Sequence, residues 1–398
     1  MTMFGVQEAV LAQAVRAVTP HAVDRDEVEE RFARAAWSTL AEPGDRIAGA
    51  AVGAAGAASA LSLVIGDVAP ERLAAALGVA PQTAADALAR WKPRLTSTQV
   101  VAALHQAARC GARLMVPADA LWPNGVDDLE LHAPLALWAR GPDDALAALD
   151  SAFALVGARA ATGYGEHVTM EASAGLVDRG FAIVSGAAYG IDGMAHRAAL
   201  AGGGITAAVL AGGVDRFYPS GHEELLTRIA REGVVLSELP CGSAPTRWRF
   251  LQRNRIISAL GRATVVLEAG RRSGSINTAG HAASLGRPLG AVPGPVTSSA
   301  SAGCHRIIRE LGAVCVTDAD EMAQLVTLDP AAGGDVRGRD DADTVRVLDA
   351  LGTRAARGVP DLAARSGLAA GAVRSVLGAL DLEGRARETD AGWLRARP

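Results

Sequence analysis

Apolar runs rich in β-branched residues alternate with helical stretches between residues 151 and 326. The runs stop at Gly, Ser or Pro, as where Val184 is followed by Ser185 and Gly186. Such alternation predicts a doubly wound, mostly parallel sheet flanked by helices, an α/β fold. The strands are predicted at residues 153–156, 181–184, 205–210, 234–236, 263–268, 289–292 and 313–316.

The preceding residues, 1–110, have the pattern of a small helical domain. A Pro at the first helical position predicts the helices Pro70–Leu77 and Pro81–Trp91, and Gly78 suits the C-terminal cap of the former. The uncharged run Ile47–Ile65 has the length of a membrane span, but most of it is Ala and Gly. We therefore favour a closely packed pair of small-residue helices and expect no membrane association.

Residues 327–343 lack apolar periodicity and are dominated by Gly, Asp and Arg, which predicts a linker. It separates the sheet-forming core, 111–326, from a C-terminal unit, 344–398. That unit has three amphipathic stretches and then a hairpin pattern, which together are the plan of a winged helix. The four segments are Val345–Leu351, Val359–Ser366, Ala370–Leu382 and Glu383–Arg397.

Charge and cysteine usage narrow the possible partners. The net charge of −4 means that any nucleic-acid binding must come from local patches. The cysteines have no CxxC spacing, so neither a zinc site nor a redox pair is indicated. Free thiols without a signal-peptide pattern favour a reducing, cytoplasmic location. The cysteines are Cys110, Cys241, Cys304 and Cys315.

The glycine-rich turns lie where a parallel sheet binds ligands, beyond the carboxyl ends of its strands. Glycine permits close approach, and helix N-termini offer free N–H groups, so a phosphate-bearing ligand is the first hypothesis. Lys92, the single lysine, lies outside the sheet region, which argues against a P-loop and a pyridoxal Schiff base. The turn from Gly186 to Gly190 lacks the GxGxxG spacing of a dinucleotide site. No cofactor and no metal are predicted.

Arginines and aromatic residues are interleaved just before the predicted strand at 263–268. If this stretch is helical, Arg249 and Arg253 share a face. Arginine beside aromatic rings suits single-stranded nucleic acid, through phosphate contacts and base stacking, whereas the alternative is a solvated helix face. The neighbouring turns favour nucleic acid. The residues are Arg247, Trp248, Arg249, Phe250, Arg253 and Arg255.

Asp192 and His196 are four positions apart and so share a helix face. One interpretation is an acid/base pair. We favour structural roles, with Asp192 stabilised by the helix dipole in the first turn. Ser185 lies close by, but the GxSxG turn of a hydrolase triad is absent.

A series of motifs occurs in one order across residues 150–320: VGAR, SGAAYGID, AVLAGGVD, SELPCGSAP, RNRIISAL, SGSINTAGHAA and GRPLGAVPG. In its order and spacing the series resembles the DNA-processing protein A family (DprA, also called Smf). Residues 1–110 resemble the family's sterile-alpha-motif-like domain loosely, and the C-terminal winged helix also occurs in many members.

The resemblance implies an extended Rossmann-like core that binds single-stranded DNA. It further implies loading of the recombinase RecA onto single strands, including strands coated by single-strand-binding protein, in DNA uptake, natural transformation and recombination. A homodimer formed through the Rossmann-like core is expected. The family is not known for a catalytic reaction, so we expect no enzyme.

The expected DNA-binding residues lie in the matched motifs and turns. Arg159, Arg253 and Arg255 are expected to contact phosphates, being the cationic residues nearest the turns. Tyr189 replaces a basic residue common in the family and offers a ring for stacking on a base. The full set is Gly157, Arg159, Ser185, Gly186, Tyr189, Gly190, Arg249, Arg253, Asn254, Arg255, Ser273, Gly274 and Thr278.

Two other functions compete with this interpretation. The first is a nucleotide phosphoribohydrolase of the cytokinin-activating family, which shares the Rossmann variant and carries PGGxGTxxE. His281 stands where that motif has its catalytic Glu, which disfavours the enzyme. The second is a transcription regulator that uses the winged helix on duplex DNA and the sheet as a ligand sensor.

Overall fold

The computed structural model describes residues 2–327 and 341–396, so most of the predicted linker lies outside the described residues. The N-terminal unit is helical, apart from two short antiparallel strands at its start, β1 (Thr2–Met3) and β2 (Val6–Gln7). Its helices are α1 (Glu8–Arg16), α2 (Arg25–Leu40), α3 (Arg46–Ala55), α4 (Ala57–Ile65), α5 (Pro70–Leu77), α6 (Pro81–Trp91) and α7 (Ser97–Arg109).

Capping residues explain where several of these helices begin and end. The Asp45 carboxylate accepts hydrogen bonds from the first backbone amides of α3, and Gly78 takes the left-handed conformation (φ 64°) that ends α5. Within the described residues no single helix is both long and apolar enough to span a membrane. Helices α3 and α4 together have that length and composition, but the chain bends by 112° between them.

The core contains a nine-stranded, mostly parallel sheet, which confirms the predicted fold class. The strand order is β11-β10-β9-β5-β6-β7-β8-β4-β3, and β4 is antiparallel to both of its neighbours, β8 and β3, whereas all other neighbouring pairs are parallel. The sequence pattern identified seven of the nine strands and missed β3 and β4. The strands are β3 (Arg113–Met115), β4 (Leu137–Arg140), β5 (Ala152–Gly157), β6 (Ala182–Ser185), β7 (Thr206–Val209), β8 (Val234–Ser237), β9 (Ala263–Glu268), β10 (Leu289–Ala291) and β11 (Val314–Cys315).

Helices cover both faces of this sheet. Alternate residues of β5 enter opposite cores, so that Ala154 packs beneath α12–α14 and Phe153 beneath α9, α10 and α15. Helix α11 packs against β7, β8 and α10, and its buried side chains belong to the same apolar cluster as those of the N-terminal unit. The helices of the core are α8 (Asp143–Ala147), α9 (Gly163–Asp178), α10 (Ile191–Ala201), α11 (Glu223–Glu232), α12 (Arg247–Leu260), α13 (Ser275–Ser284), α14 (Ala302–Glu310) and α15 (Ala319–Gln324). Short 3₁₀ segments lie at Lys92–Arg94, Asn124–His132, Ala148–Ser151 and Ser220–His222.

The C-terminal unit consists of three helices followed by an antiparallel hairpin, as predicted for a winged helix. Apolar side chains of all three helices, among them Leu348, Leu362 and Leu377, form its core. The elements are α16 (Ala342–Ala350), α17 (Val359–Ser366), α18 (Ala370–Leu382), β12 (Ala386–Thr389) and β13 (Gly392–Arg395).

The strand order also locates the switch in chain direction. The chain moves from β5 outward through β6, β7 and β8, and later returns to place β9 on the other side of β5. Ligands of open α/β sheets bind at such a switch, outside the carboxyl ends of the strands. The turns after β5, β6, β7 and β9 all open on this edge.

His196 of α10 is buried in the core and has a structural role. Its Nδ1 lies 2.7 Å from the Thr206 hydroxyl, which itself donates to the Ile183 carbonyl oxygen over 2.8 Å. The hydroxyl must therefore accept from His196, which makes Nδ1–H the protonated nitrogen. Burial lowers the pKa of His196 to about 3.

This lowered pKa predicts acid sensitivity. Between about pH 6.5 and pH 3 the unfolded chain binds a proton at residue 196 that the folded chain does not, so stability falls as the pH falls. We expect His196→Gln to reduce the slope of the free energy of unfolding against pH by up to about 1.4 kcal/mol per pH unit. Urea denaturation between pH 6.5 and 5 measures it. His105→Gln, at an exposed position, is the control, and equal slopes in both variants would contradict the assignment.

Candidate nucleic-acid interface

An aromatic cluster lies at the carboxyl edge of the sheet, on the side of β5, β6 and β7. Phe250 of α12 is half-buried, and the Tyr218 ring lies 5.4 Å from it, centroid to centroid. The Arg159 guanidinium carbon lies 5.4 Å from the same Phe250 centroid. Tyr218 is 50% exposed, and Arg159 is exposed as well. The cluster thus presents a cation and a ring to solvent over an apolar base.

Tyr189 extends this cluster. Its ring is 48% exposed and packs edge-on against His222, with the centroids 4.8 Å apart. The turn that carries it requires glycine at position 190, where φ is 76° and a Cβ would collide with the carbonyl oxygens of Ala158 and Arg159. This close approach holds the turn after β6 against the turn after β5, and so Tyr189 beside Arg159.

Arg253 lies beneath the cluster and is 7% exposed. Its Nη1 donates to the carbonyl oxygens of Gly186 and Val209, at 2.6 and 2.5 Å. Burial lowers the pKa of its guanidinium to about 10, and the neighbouring Asp192 opposes that shift. The arrangement ties the carboxyl ends of β6 and β7 together, so Arg253 positions the turns and has little surface to offer a phosphate.

Asp192 occupies the turn at the start of α10. Its carboxylate, on a residue that is 6% exposed, accepts hydrogen bonds from backbone amides of this turn, including that of Ala188. Burial raises the pKa of this carboxyl, while Arg253 acts in the opposite direction. Asp192 and His196 do not form an acid/base pair, since the hydrogen bond of His196 goes to Thr206.

Glu268 fills the corresponding turn after β5. It is 2% exposed, and its carboxylate accepts from the Thr162 backbone amide (2.8 Å) and hydroxyl (2.6 Å) at the N-terminus of α9. A Cβ at Gly165 would collide with the same carboxylate. The two helix N-termini beside the switch in strand order therefore hold the protein's own carboxylates. These are the positions at which a Rossmann fold binds a nucleotide phosphate.

Several other expected site residues are engaged inside the protein. Arg255 is 1% exposed and donates to Glu238 over 2.7 Å, so no ligand can reach it in this arrangement. Arg249 pairs with Glu42 of the N-terminal unit, with both N···O distances at 3.2 Å. Asn254 is 8% exposed, and the Ser185 hydroxyl donates to the Leu155 carbonyl oxygen over 2.6 Å.

Small-residue positions of the expected site serve close packing. A Cβ at Gly157 would collide with Ile191, and one at Gly186 with the Arg253 guanidinium. Thr278 is 2% exposed. Gly274 differs, since it is exposed with nothing within 4 Å of a Cβ, and Ser273 bonds to Ser275 over 2.7 Å.

Four exposed cations at this edge lie outside the expected set of DNA-binding residues, and only Arg247 among them was singled out by the sequence, as part of its basic stretch. Arg271 and Arg272 precede Gly274 in the turn after β9, Arg216 lies in the turn after β7, and Arg247 begins α12. None of them forms an ion pair with the residues that the structure describes. The sequence signal for Arg216, Arg271 and Arg272 was their position in a turn that follows a predicted strand. The interface therefore combines free arginines with the rings of Tyr189, Tyr218 and Phe250.

Residues 113–327 match the family described as DNA recombination-mediator protein A, and residues 338–392 match the DprA winged helix domain. The chain is 48% identical over 301 residues to a DNA processing protein DprA of Mycobacterium tuberculosis H37Rv, covering 72% of this chain and 77% of that protein. It is 40% identical over 190 residues to DNA processing protein DprA of Streptococcus pneumoniae R6, covering 48% and 66%.

The fold is likewise similar to that of a solved DNA processing protein. The crystal structure of DNA processing protein A from Streptococcus pneumoniae superposes with a TM-score of 0.60 at 29% sequence identity. The superposition covers 74% of this chain and 96% of that one.

The buried position of Arg253 generates a stability prediction. Arg253→Ala leaves the buried Asp192 carboxylate without its nearest cation and two carbonyl oxygens without a donor. We expect the free energy of unfolding in urea to fall by about 3–5 kcal/mol. Asp192→Asn in the same background should restore part of the loss, because it removes the uncompensated charge. Arg247→Ala, at the exposed start of the same helix, should change it by less than about 0.5 kcal/mol. Equal stability of the two single variants would refute a positioning role for Arg253.

Proposed function

The chain belongs to the DNA recombination-mediator protein A family, and on that premise we propose that it binds single-stranded DNA across the carboxyl edge of its sheet. The observation that carries the proposal is the cluster of Tyr189, Tyr218 and Phe250 with the exposed Arg159. Single strands offer unstacked bases and a flexible phosphate backbone, and aromatic rings beside arginine suit both.

The proposed path of the strand follows the free cations. On the β7 side lie Arg216 and Arg247, and on the β9 side lie Arg271 and Arg272 next to Gly274. The rings lie on the β5–β7 side. We place phosphate contacts at the exposed arginines and base stacking at Tyr189 and Tyr218. Arg253, Asn254 and Arg255 support this surface from within, and Arg249 acts through its pair with Glu42.

We further propose that the chain acts by binding and not by a reaction. A nucleotide-hydrolysing Rossmann enzyme needs its helix N-termini free for phosphate. Here Asp192 and Glu268 occupy those of α10 and α9. Their carboxylates would repel a phosphate at the same place. This repulsion favours a strand that crosses the rings rather than a nucleotide bound in the turns.

The family membership supports a role as recombination mediator. We propose that the chain loads RecA onto single strands, including strands coated by single-strand-binding protein, during DNA uptake and recombination. We also propose that it works as a homodimer through the Rossmann-like core, in the cytoplasm.

Binding to a labelled oligo(dT) at several salt concentrations tests the site. Arg159→Ala should weaken binding and lower the slope of log K against log salt by roughly 0.7, the value for one lost phosphate contact on a single strand. Tyr189→Ala should lose about 1–3 kcal/mol of binding free energy with the slope unchanged, because a stacked ring releases no counterion. A duplex of the same length should bind more weakly than oligo(dT).

Matched controls make the comparison specific. Arg262→Ala removes an exposed arginine at the start of β9, at the opposite edge of the sheet, and should leave both affinity and slope unchanged. Tyr189→Phe should bind as wild type. Equal slopes for Arg159→Ala and Arg262→Ala would remove Arg159 from the site, and a Phe variant as weak as the Ala variant would refute stacking.

RecA loading is tested with purified components. RecA filament growth on single strands coated by single-strand-binding protein should be faster with the wild-type chain than without it. The stimulation should fall in Tyr189→Ala in proportion to its lost DNA binding, because loading requires the strand to be held first. No stimulation at concentrations that saturate oligo(dT) binding would separate strand binding from RecA loading and reject the latter.

A further inference from the structure

The C-terminal unit is docked on the core, against α12 and α13. Trp248 of α12 packs on the apolar core of the C-terminal unit. Arg346 of α16, 1% exposed, donates to the Pro43 carbonyl oxygen of the N-terminal unit over 3.1 Å. His132 of the core lies 3.0 Å from the Asp343 carboxylate. All three parts of the chain therefore meet at this interface.

A chain of hydrogen bonds runs from the candidate interface to this docked unit. Arg253 Nε donates to Asn254 Oδ1 over 3.2 Å, and Asn254 Nδ2 donates to Asn277 Oδ1 over 2.8 Å. Asn277 Nδ2 then donates to Asp349 Oδ1 over 2.5 Å. Asp349 lies on α16, whereas the other three residues belong to the core.

Asp349 is the third buried carboxylate at this edge that accepts a hydrogen bond, after Asp192 and Glu268. Its residue is 9% exposed, and its Oδ2 finds no hydrogen-bond donor among the described residues, with His281 Nε2 at 3.5 Å. Asn277 and His281 lie on α13, one and two turns from Gly274. An anionic oxygen beside an amide donor and an imidazole is the chemistry of a phosphate contact.

We propose that the C-terminal unit is a releasable cover, in which Asp349 occupies a phosphate position on α13 that a DNA strand takes over when the unit moves away. The covered surface consists of Asn277 and His281, next to the exposed turn at Gly274. This inference rests on the proposed binding of single-stranded DNA and extends that surface along α13.

The interface is built so that release is feasible. Arg255 Nε and Nη1, Arg346 Nη1 and Glu238 Oε2 are buried without a hydrogen-bond partner in the described parts of the chain. Each unmade bond offsets part of the docking free energy. Arg255 and Arg346 both approach Gly44, and burial together with Arg255 lowers the pKa of Arg346 to about 9. Like charges buried side by side oppose docking, whereas the nearby carboxylates of Glu238, Asp45 and Asp343 favour it.

Release and DNA binding are then coupled. When the docked state dominates, the apparent affinity for a strand that needs the open state is reduced by the open fraction. A variant that weakens docking tenfold raises that fraction, and hence the apparent affinity, by up to about tenfold. The coupling works through the population of the open state, so it leaves contacts of the exposed rings unchanged.

Asp349→Ala in the full chain tests the proposal by two readouts. Without DNA, hydrogen exchange followed by mass spectrometry should be faster in peptides from 247–260 and 275–284, because α12 and α13 lose their cover. With DNA, the affinity for oligo(dT) should rise by a factor of up to about ten, equivalent to 1.4 kcal/mol. Asp349→Asn, which keeps the shape and one acceptor oxygen, should lie between wild type and the Ala variant in both readouts.

Asp381→Ala is the matched control. It removes one exposed carboxylate from α18 of the same unit, so that net charge changes equally, and should alter neither readout. Unchanged hydrogen exchange in Asp349→Ala would overturn the proposed cover. Faster exchange together with an oligo(dT) affinity equal to that of Asp381→Ala would also overturn it. Failure of the wild type and of every variant to bind oligo(dT) would instead overturn the proposed function, and with it the DNA-binding part of this inference.

Discussion

The buried guanidinium of Arg253 is the interaction on which the carboxyl edge of the sheet depends. A cation removed from water is stable when its donors are bonded and a counter-charge is near. Arg253 meets both needs by donating to the ends of β6 and β7 and lying near Asp192. Those bonds fix the two turns relative to each other. The exposed rings of Tyr189 and Tyr218 keep their places because the backbone beneath them is held in this way.

Filling the turns with carboxylates changes what the fold can bind. In a nucleotide-binding Rossmann fold the free amides at helix N-termini attract phosphate. Here the Asp192 carboxylate accepts from the Ala188 amide in the turn before α10, and the Glu268 carboxylate accepts from the Thr162 amide just before α9. The described residues at this edge also include exposed arginines in several turns and the rings of Tyr189, Tyr218 and Phe250. A long, flexible polyanion can use such a surface.

The sequence predicted local structure well where the determinant was local. Pro at the first position and a left-handed Gly at the end set the bounds of Pro70–Leu77, and β-branched runs predicted seven strands. It did not predict which arginines would be free. Arg255 and Arg249 stand in one basic stretch, but their partners Glu238 and Glu42 come from other elements. Helix α12 is buried on several sides, between the sheet and the C-terminal unit, so no periodic pattern distinguished its inner arginines from its outer ones. Arg271 and Arg272, in contrast, lie in a turn that stays in solvent.

The three carboxylates at this edge differ in how they are attached, and this difference has a functional consequence. Asp192 and Glu268 are carried by α10 and β9, whose removal from the turns would require the core itself to unfold. Asp349 is carried by α16, in a unit with its own apolar core. Movement of that unit as a body costs the contacts of one interface and leaves the sheet intact. Of the three, Asp349 is therefore the carboxylate that an incoming phosphate can replace, and the bonds from Asn277 through Asn254 to Arg253 connect that replacement to the turns that hold the rings.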